Sequence, residues 1–100
     1  MGWFTVAVLG PSMVPTVRHG DALVVRRGGR PVRRGDVVVA TFRSAPALGP
    51  VVKRAVRPVD GGWWLAGDNP FGSDASDAYG VADVLGRVLW RYWPRPGRVR

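Results

Sequence analysis

Short apolar runs, each bounded by glycine or proline, recur along the whole chain. Most of them are rich in valine or aromatic residues, a composition typical of strands. Apolar residues do not recur at helical spacing over three turns anywhere in the sequence, which argues against a long amphipathic helix. The pattern therefore predicts six strands, at residues 4–9, 22–26, 36–42, 51–56, 63–66 and 84–93.

The connecting segments complete the prediction of an all-β fold. Asp60-Gly61 lies between two predicted strands, as in a hairpin turn. Residues 69–83 form a polar loop that is too long for a hairpin, and loops of this kind often carry function. With 100 residues, the chain has the size of one domain. We predict a single all-β domain over residues 1–100, built of short antiparallel strands, with residues 94–100 as a flexible basic tail.

The net charge of +8 comes from fourteen arginines and one lysine against seven aspartates. This balance favours anionic partners, so a nucleic-acid-binding β barrel is one alternative, with arginines on phosphates and tryptophans stacked on bases. The arginines are scattered, however, and several tryptophans fall in predicted strands, where core packing is the commoner role. We therefore expect no nucleic-acid partner. The tryptophans concerned are Trp63, Trp64, Trp90 and Trp93.

The residue types that are scarce limit the chemistry. The chain has no cysteine, which excludes disulfides and thiolate metal sites. His19 is the single histidine, so a histidine metal cluster or a serine–histidine–aspartate triad would depend on that residue. We expect no cofactor and no metal, and we expect His19→Ala to leave most of the activity intact.

The apolar run at residues 3–9 is far shorter than the roughly 20 residues that a membrane-spanning helix needs. No basic segment precedes it, so it is also a poor signal peptide. We expect a cytoplasmic protein. The alternative is a membrane-associated protein whose native anchor precedes this sequence, and surface contact with a membrane through arginines and tryptophans also stays open.

Lys53 is the only lysine in a chain that otherwise uses arginine for positive charge. It lies among Val51, Val52 and Ala55 in a predicted strand. Arginine stays protonated near neutral pH, whereas burial can lower the pKa of a lysine enough for it to act as a general base. A lysine that extends from a strand end into solvent is the simpler interpretation of this residue alone.

Ser12 lies between two prolines directly after the first predicted strand. Proline restricts its own backbone and that of the preceding residue, so the serine is expected on a rigid, exposed turn. Such a turn can present a hydroxyl as a nucleophile and its N–H to an oxyanion. On its own, Ser12 is more simply explained as an ordinary loop serine.

Five short motifs between residues 10 and 80 occur in an order that resembles the signal peptidase I family. They are Ser12-Met13-Val14-Pro15-Thr16, Gly20-Asp21, Gly35-Asp36-Val37-Val38-Val39, Val52-Lys53-Arg54 and Gly67-Asp68-Asn69. The resemblance implies that the strands form a partly closed, signal-peptidase/LexA-like β barrel, and that the protein is a serine endopeptidase with a serine–lysine dyad. Ser12 would be the nucleophile and Lys53 the general base.

The resemblance also implies supporting roles. Ser73 would orient the lysine amine, and Met13 would line the substrate pocket. The backbone N–H of Ser12, together with the Gly10 region, would form the oxyanion hole. Asp68 and Asn69 would hold the loop by hydrogen bonds.

The sequence departs from the family pattern at three points. Gly10 stands where many members have a serine that completes the oxyanion hole. Ala75 and Asp77 replace an aspartate and an arginine that support the family site. The N-terminal membrane anchor is missing from this sequence, which puts an ordinary secretory substrate in doubt.

Short, anchorless relatives of this type include the nickel-type superoxide dismutase maturation proteases. The chain resembles them in residues 10–16, in Gly62-Trp63-Trp64-Leu65 with the following Gly67-Asp68-Asn69-Pro70, and in the closing residues 86–94. The implied substrate is a dismutase precursor from which an N-terminal propeptide is removed. The alternative is an anchorless signal peptidase that cleaves secretory signal peptides. A LexA-type repressor cleavage domain fits less well, because it lacks the Gly-Asp-Asn-Pro motif.

Overall fold

A computed structural model describes residues 2–72 and 74–100 of the chain. Its strands are β1 Trp3–Ala7, β2 Ala22–Arg26, β3 Val37–Phe42, β4 Val51–Val59, β5 Gly62–Ala66, β6 Ala82–Trp93 and β7 Gly97–Arg98. A 3₁₀ turn, Pro46–Leu48, and a short helix α1, Ser76–Tyr79, lie in two of the connections. The predicted all-β fold is confirmed.

The strands form one antiparallel sheet in the order β1-β2-β6-β3-β4-β5, with β7 on β6. Strand β6 also pairs with β5 through Trp63 and Ala82, so β6, β3, β4 and β5 close into a ring. β1 and β2 extend the sheet beyond that ring. The architecture is therefore a partly closed barrel, as predicted.

Gly86 allows β6 to pair with β3 in the ring and with β2 in the extension of the sheet. A Cβ at this position would lie 2.7 Å from the carbonyl oxygen of Arg26 and from a methyl group of Val25, both on β2. β6 also changes register opposite Val39 and Ala40 of β3. A side chain at residue 86 would therefore push β2 away from β6.

Strand β3 separates two hydrophobic clusters because its side chains alternate across the sheet. Val37 and Val39 belong to the first cluster, and Val38 and Ala40 to the second. The first cluster also holds Val8, Met13, Val17, Leu23, Val25 and Val88. The second also holds Phe42, Ala55, Leu65, Ala75 and Ala82. The segment after β1 is thus anchored on one side of β3 and strand β4 on the other.

The six predicted strands are present with shifted bounds, and β4 runs through Pro58 to Val59. Residues 97–98, within the predicted basic tail, pair with β6, and Val99 packs against the first cluster. None of the helices in the described residues is long and apolar enough to cross a membrane.

Candidate active site

Ser12 lies on a turn that follows β1. Backbone hydrogen bonds from Val8 to Asp21 (2.8 Å) and from Gly20 to Val8 (2.9 Å) continue the β1–β2 pairing beyond the strand. Gly10 then reverses the chain with a φ of +79°, a conformation that glycine adopts at low cost. The next residue after the serine, Met13, is fully buried in the first cluster. Met13 therefore anchors the turn in the core, and Ser12 is half-buried.

Lys53 is 4% exposed on β4, opposite Val38 of β3. Burial lowers the pKa of its ammonium group below the ordinary value, and the charges of Asp74 and Asp77 offset only part of that effect. A buried lysine with a lowered pKa is neutral in a larger fraction of molecules at a given pH, so it can accept a proton.

Ser12 and Lys53 line one cavity of about 260 Å³ between the end of β1 and the start of β4. Among the described residues that line it, only these two have polar side chains. The apolar lining consists of Ala7, Val8, Leu9, Gly10, Pro11, Leu48, Pro50, Val51 and Val52. The fold thus brings the predicted nucleophile and the predicted base together in a mostly apolar cleft.

Asn69 joins the long loop to the serine turn. Its side-chain amide donates to the carbonyl oxygen of Pro11 (2.9 Å), and its backbone N–H donates to the carbonyl oxygen of Ser12 (2.9 Å). Its Oδ1 atom accepts from the backbone N–H of Phe71 (2.9 Å). These contacts hold the backbone on both sides of the Ser12 side chain, the loop-supporting position predicted from sequence.

Asp68 connects the serine turn to the lysine strand. Its carboxylate accepts hydrogen bonds from the hydroxyl of Thr16 and from the guanidinium of Arg54, which follows Lys53 in the chain. Burial raises the pKa of Asp68, but the hydrogen bonds from Arg54 and Thr16 outweigh it and keep the pKa below its ordinary value. The carboxylate is therefore charged at neutral pH and links both sides of the cleft.

Comparison of the chain with known proteins identifies its family. Residues 2–89 match the family described as Peptidase S24-like. The chain belongs to the Peptidase S24-like family. It is also 30% identical, over 110 aligned positions, to mitochondrial inner membrane protease subunit 1 of Xenopus tropicalis. That alignment covers 85% of this chain, and the chain spans 66% of the length of that curated relative. The resemblance to the signal peptidase I family is confirmed.

One predicted pocket residue of this Peptidase S24-like chain, Met13, is not among the described residues that line the cavity. Met13, which was predicted to line the substrate pocket, is fully buried in the core beneath the turn. Its side chain points away from the cavity because Met13 and Val17 anchor the turn. Ser73 lies outside the described residues.

The imidazole of His19 contacts the backbone of the serine turn. Its Nδ1 atom accepts a hydrogen bond from the backbone N–H of Gly10 (2.9 Å). Since that bond occupies Nδ1, the contact supports the position of Gly10, two residues before the serine. This geometry does not favour a serine–histidine–aspartate triad.

Sequence reasoning missed three residues of the Peptidase S24-like site region. Thr16 and Arg54 were quoted only as parts of motifs, and their shared carboxylate contact depends on tertiary structure. Ser76 is buried, and its hydroxyl oxygen accepts the backbone N–H of Leu65 (2.7 Å), which fixes the end of the long loop against β5. Ser76 stands in a polar stretch of the sequence, so nothing in that stretch distinguished it from its neighbours.

Proposed function

We propose that this chain is a serine endopeptidase in which Ser12 is the nucleophile and Lys53 the general base. The observation that carries the proposal is the shared cavity, in which Ser12 and Lys53 are the only polar side chains among the described lining residues. Membership of the Peptidase S24-like family and the similarity to a mitochondrial inner membrane protease subunit support a peptidase.

The proposed reaction uses the neutral form of Lys53. Its amine accepts the proton of the Ser12 hydroxyl while Oγ attacks the scissile carbonyl. The resulting oxyanion is stabilised by backbone N–H groups of the serine turn, including that of Ser12. The C–N bond then breaks, the leaving amine takes the proton from Lys53, and the acyl-enzyme is hydrolysed by water. Burial of Lys53 serves this step because it favours the uncharged amine.

The substrate is proposed to bind as an extended peptide between β1 and β4. Strand β1 pairs only with β2 among the described strands, and Val51 and Val52 of β4 pair with β3 and not with β5. Each strand therefore offers one edge to the cleft, and a peptide can add to a free edge through main-chain hydrogen bonds. Leu9 and Leu48 are exposed at the cavity and provide apolar contacts for substrate side chains.

The proposed substrate is the precursor of a nickel-type superoxide dismutase, from which the enzyme removes an N-terminal propeptide. The motifs shared with such maturation proteases support this choice, and a cytoplasmic location is part of the proposal. The similarity to a mitochondrial inner membrane protease subunit favours a second candidate, the cleavage of signal peptides from membrane-bound or secretory precursors.

The experiment is a mass-spectrometric cleavage assay with the unmodified protein and the Ser12→Ala variant. A nickel-type superoxide dismutase precursor and a secretory precursor are supplied separately. Cleavage of the dismutase precursor at the propeptide junction, absent in the variant, supports both enzyme and substrate. Cleavage of the secretory precursor alone supports the proposed peptidase activity but shows that the substrate is a secretory precursor and not the dismutase precursor. Equal cleavage by Ser12→Ala would refute the role of Ser12.

A further inference from the structure

Four arginines and one aspartate meet where the β2–β3 connection passes over β2 and β6. Arg26 of β2 lies opposite Arg87 of β6 in the sheet register. Arg30 and Arg33 follow in the connection, and the positive charges of all three act on Arg87. Asp36 is engaged by Arg30, which donates to both carboxylate oxygens (2.8 and 2.9 Å). The aspartate thus balances one of the four cations.

The guanidinium groups of Arg26 and Arg87 each retain a buried donor. Their Nε atoms are buried and have no hydrogen-bond partner among the described residues. Buried polar groups in proteins are almost always hydrogen-bonded, and a buried donor without a partner is destabilising. Burial, followed by the charge of Arg30, lowers the pKa of Arg87, and Asp36 offsets only part of this effect. The single carboxylate of Asp36 therefore leaves the cluster with an excess of positive charge, and two of its donors are without acceptors among the described residues.

The surrounding surface leaves room for an acceptor. One cleft of about 260 Å³ is lined by Arg26, Gly29, Arg30 and Arg87, among others. A second cleft, of about 340 Å³, shares Arg30 and Arg87 and adds Trp90. Gly29 has a φ of +78°, and a Cβ there would lie 2.7 Å from Nε of Arg26 and 3.2 Å from Nη2 of Arg87. Any other residue would crowd both guanidinium groups.

We propose that Arg26, Arg30 and Arg87 form a binding site for a phosphate group. The planar guanidinium presents its donors in a fork that matches the oxygens of phosphate, and several arginines can share one such anion. The ligand supplies acceptors for the guanidinium groups that line the clefts, and it supplies negative charge where four arginines share one aspartate. The site shares no lining residue with the cavity of Ser12 and Lys53, so it stands independently of the proposed peptidase.

The test is a titration with inorganic phosphate, followed by NMR of the arginine Nε–H groups at constant ionic strength maintained with chloride. The Nε–H signals of Arg26 and Arg87 report on the environment of the two guanidinium groups. We expect both to shift together and saturably at up to about 10 mM phosphate. No shift over that range, or a linear shift without saturation, would overturn the proposal.

Two variants of equal charge separate a defined site from the general positive surface. Arg87→Gln removes one guanidinium of the cluster, and we expect it to weaken phosphate binding at least tenfold. Arg57→Gln removes the same charge from an exposed residue whose guanidinium lies over the Trp64 ring, 4.9 Å from its centroid. We expect this control to bind phosphate like the unmodified protein. Equal weakening by both variants would show diffuse electrostatic attraction and refute the site.

A stability measurement keeps the proposal testable if Arg87→Gln alters the fold. Without phosphate, Arg87→Gln should have a melting temperature equal to or above that of the unmodified protein, because it removes a half-buried cation that is repelled by neighbouring arginines. With phosphate, the unmodified protein should gain stability and the variant should not. A variant that melts lower without phosphate would show that Arg87 is already satisfied within the fold.

The phosphate could belong to a soluble compound or to a lipid headgroup. Co-sedimentation with phosphatidylcholine vesicles, with and without phosphatidic acid, distinguishes the two sources. Sedimentation that requires phosphatidic acid and is lost in Arg87→Gln but kept in Arg57→Gln assigns the phosphate to a headgroup. Phosphate binding without such sedimentation assigns it to a soluble ligand.

Discussion

The contact between Asp68 and its two partners holds the candidate site together, and Asp68→Asn removes its charge with almost no change of shape. Asparagine keeps one acceptor oxygen but presents an amide group to the donors of Arg54 and Thr16. Hydrogen bonds to a charged group are worth about 1 kcal/mol more than neutral ones. With two partners, we expect the free energy of unfolding to fall by about 2 kcal/mol, which corresponds to roughly 10 °C in a domain of this size.

Thermal unfolding followed by circular dichroism measures this effect, and Asp83→Asn is the matched control. Asp83 also accepts from a guanidinium, that of Arg43 at 2.8 Å, but the two side chains are 52% and 42% exposed. The side chains of Asp68 and Arg54 are only 19% and 22% exposed. Since exposed ion pairs contribute little, we expect Asp83→Asn to leave the melting temperature nearly unchanged.

The pH dependence of the melting temperature, measured for the unmodified protein and Asp68→Asn, tests whether the charge of Asp68 causes the effect. Because the pKa of Asp68 is lowered in the folded protein, its stabilisation is present above the unfolded pKa of about 3.9 and is lost as pH falls through the folded pKa. The difference between the unmodified protein and Asp68→Asn should therefore shrink on acidification. A difference that persists at low pH, or an equal loss in Asp83→Asn, would refute this explanation.

Two further predictions concern the base and the turn. Asp77→Asn removes a negative charge that favours protonated Lys53, so the pKa of Lys53 should fall. In a plot of kcat/KM against pH, the rising limb should then move to lower pH. The control Asp60→Asn removes a charge at a hairpin turn and should leave the rising limb in place. Met13→Ala should lower the free energy of unfolding by about 2–5 kcal/mol in chemical denaturation because Met13 is fully buried, whereas Met13→Leu should cost less than about 1.5 kcal/mol. A small loss in Met13→Ala would contradict its role as the anchor of the turn.

The strands could be predicted from the sequence because short valine-rich runs bounded by glycine and proline favour strands over helices. Their closure into a partly closed barrel was implied by the family resemblance and not by the strand pattern, since the pair Trp63–Ala82 joins segments that carry no local signal for each other. The extension of β4 through Pro58 also escaped prediction. That part of β4 pairs only with β5, so proline, which lacks an N–H, is tolerated there.

The candidate site was predictable where chemistry depends on residue type and only partly where it depends on packing. The single lysine and the serine between prolines drew attention to Lys53 and Ser12 directly. Met13 was expected in the pocket because it matches the pocket methionine of the family, but in this structure it is fully buried in the first cluster. The contact of Asp68 with Thr16 and Arg54 could not be read from spacing, because three separate segments meet there.

The most direct test of the central proposal is the rate at which Lys53→Arg cleaves the precursor that the unmodified protein is found to cleave. Arginine keeps the positive charge and much of the volume but cannot lose its proton near neutral pH. With a native circular dichroism spectrum as the control for folding, we expect a loss of about 10² to 10⁴-fold in kcat/KM, the usual contribution of a general base. Equal rates for the two proteins would show that Lys53 is not the base.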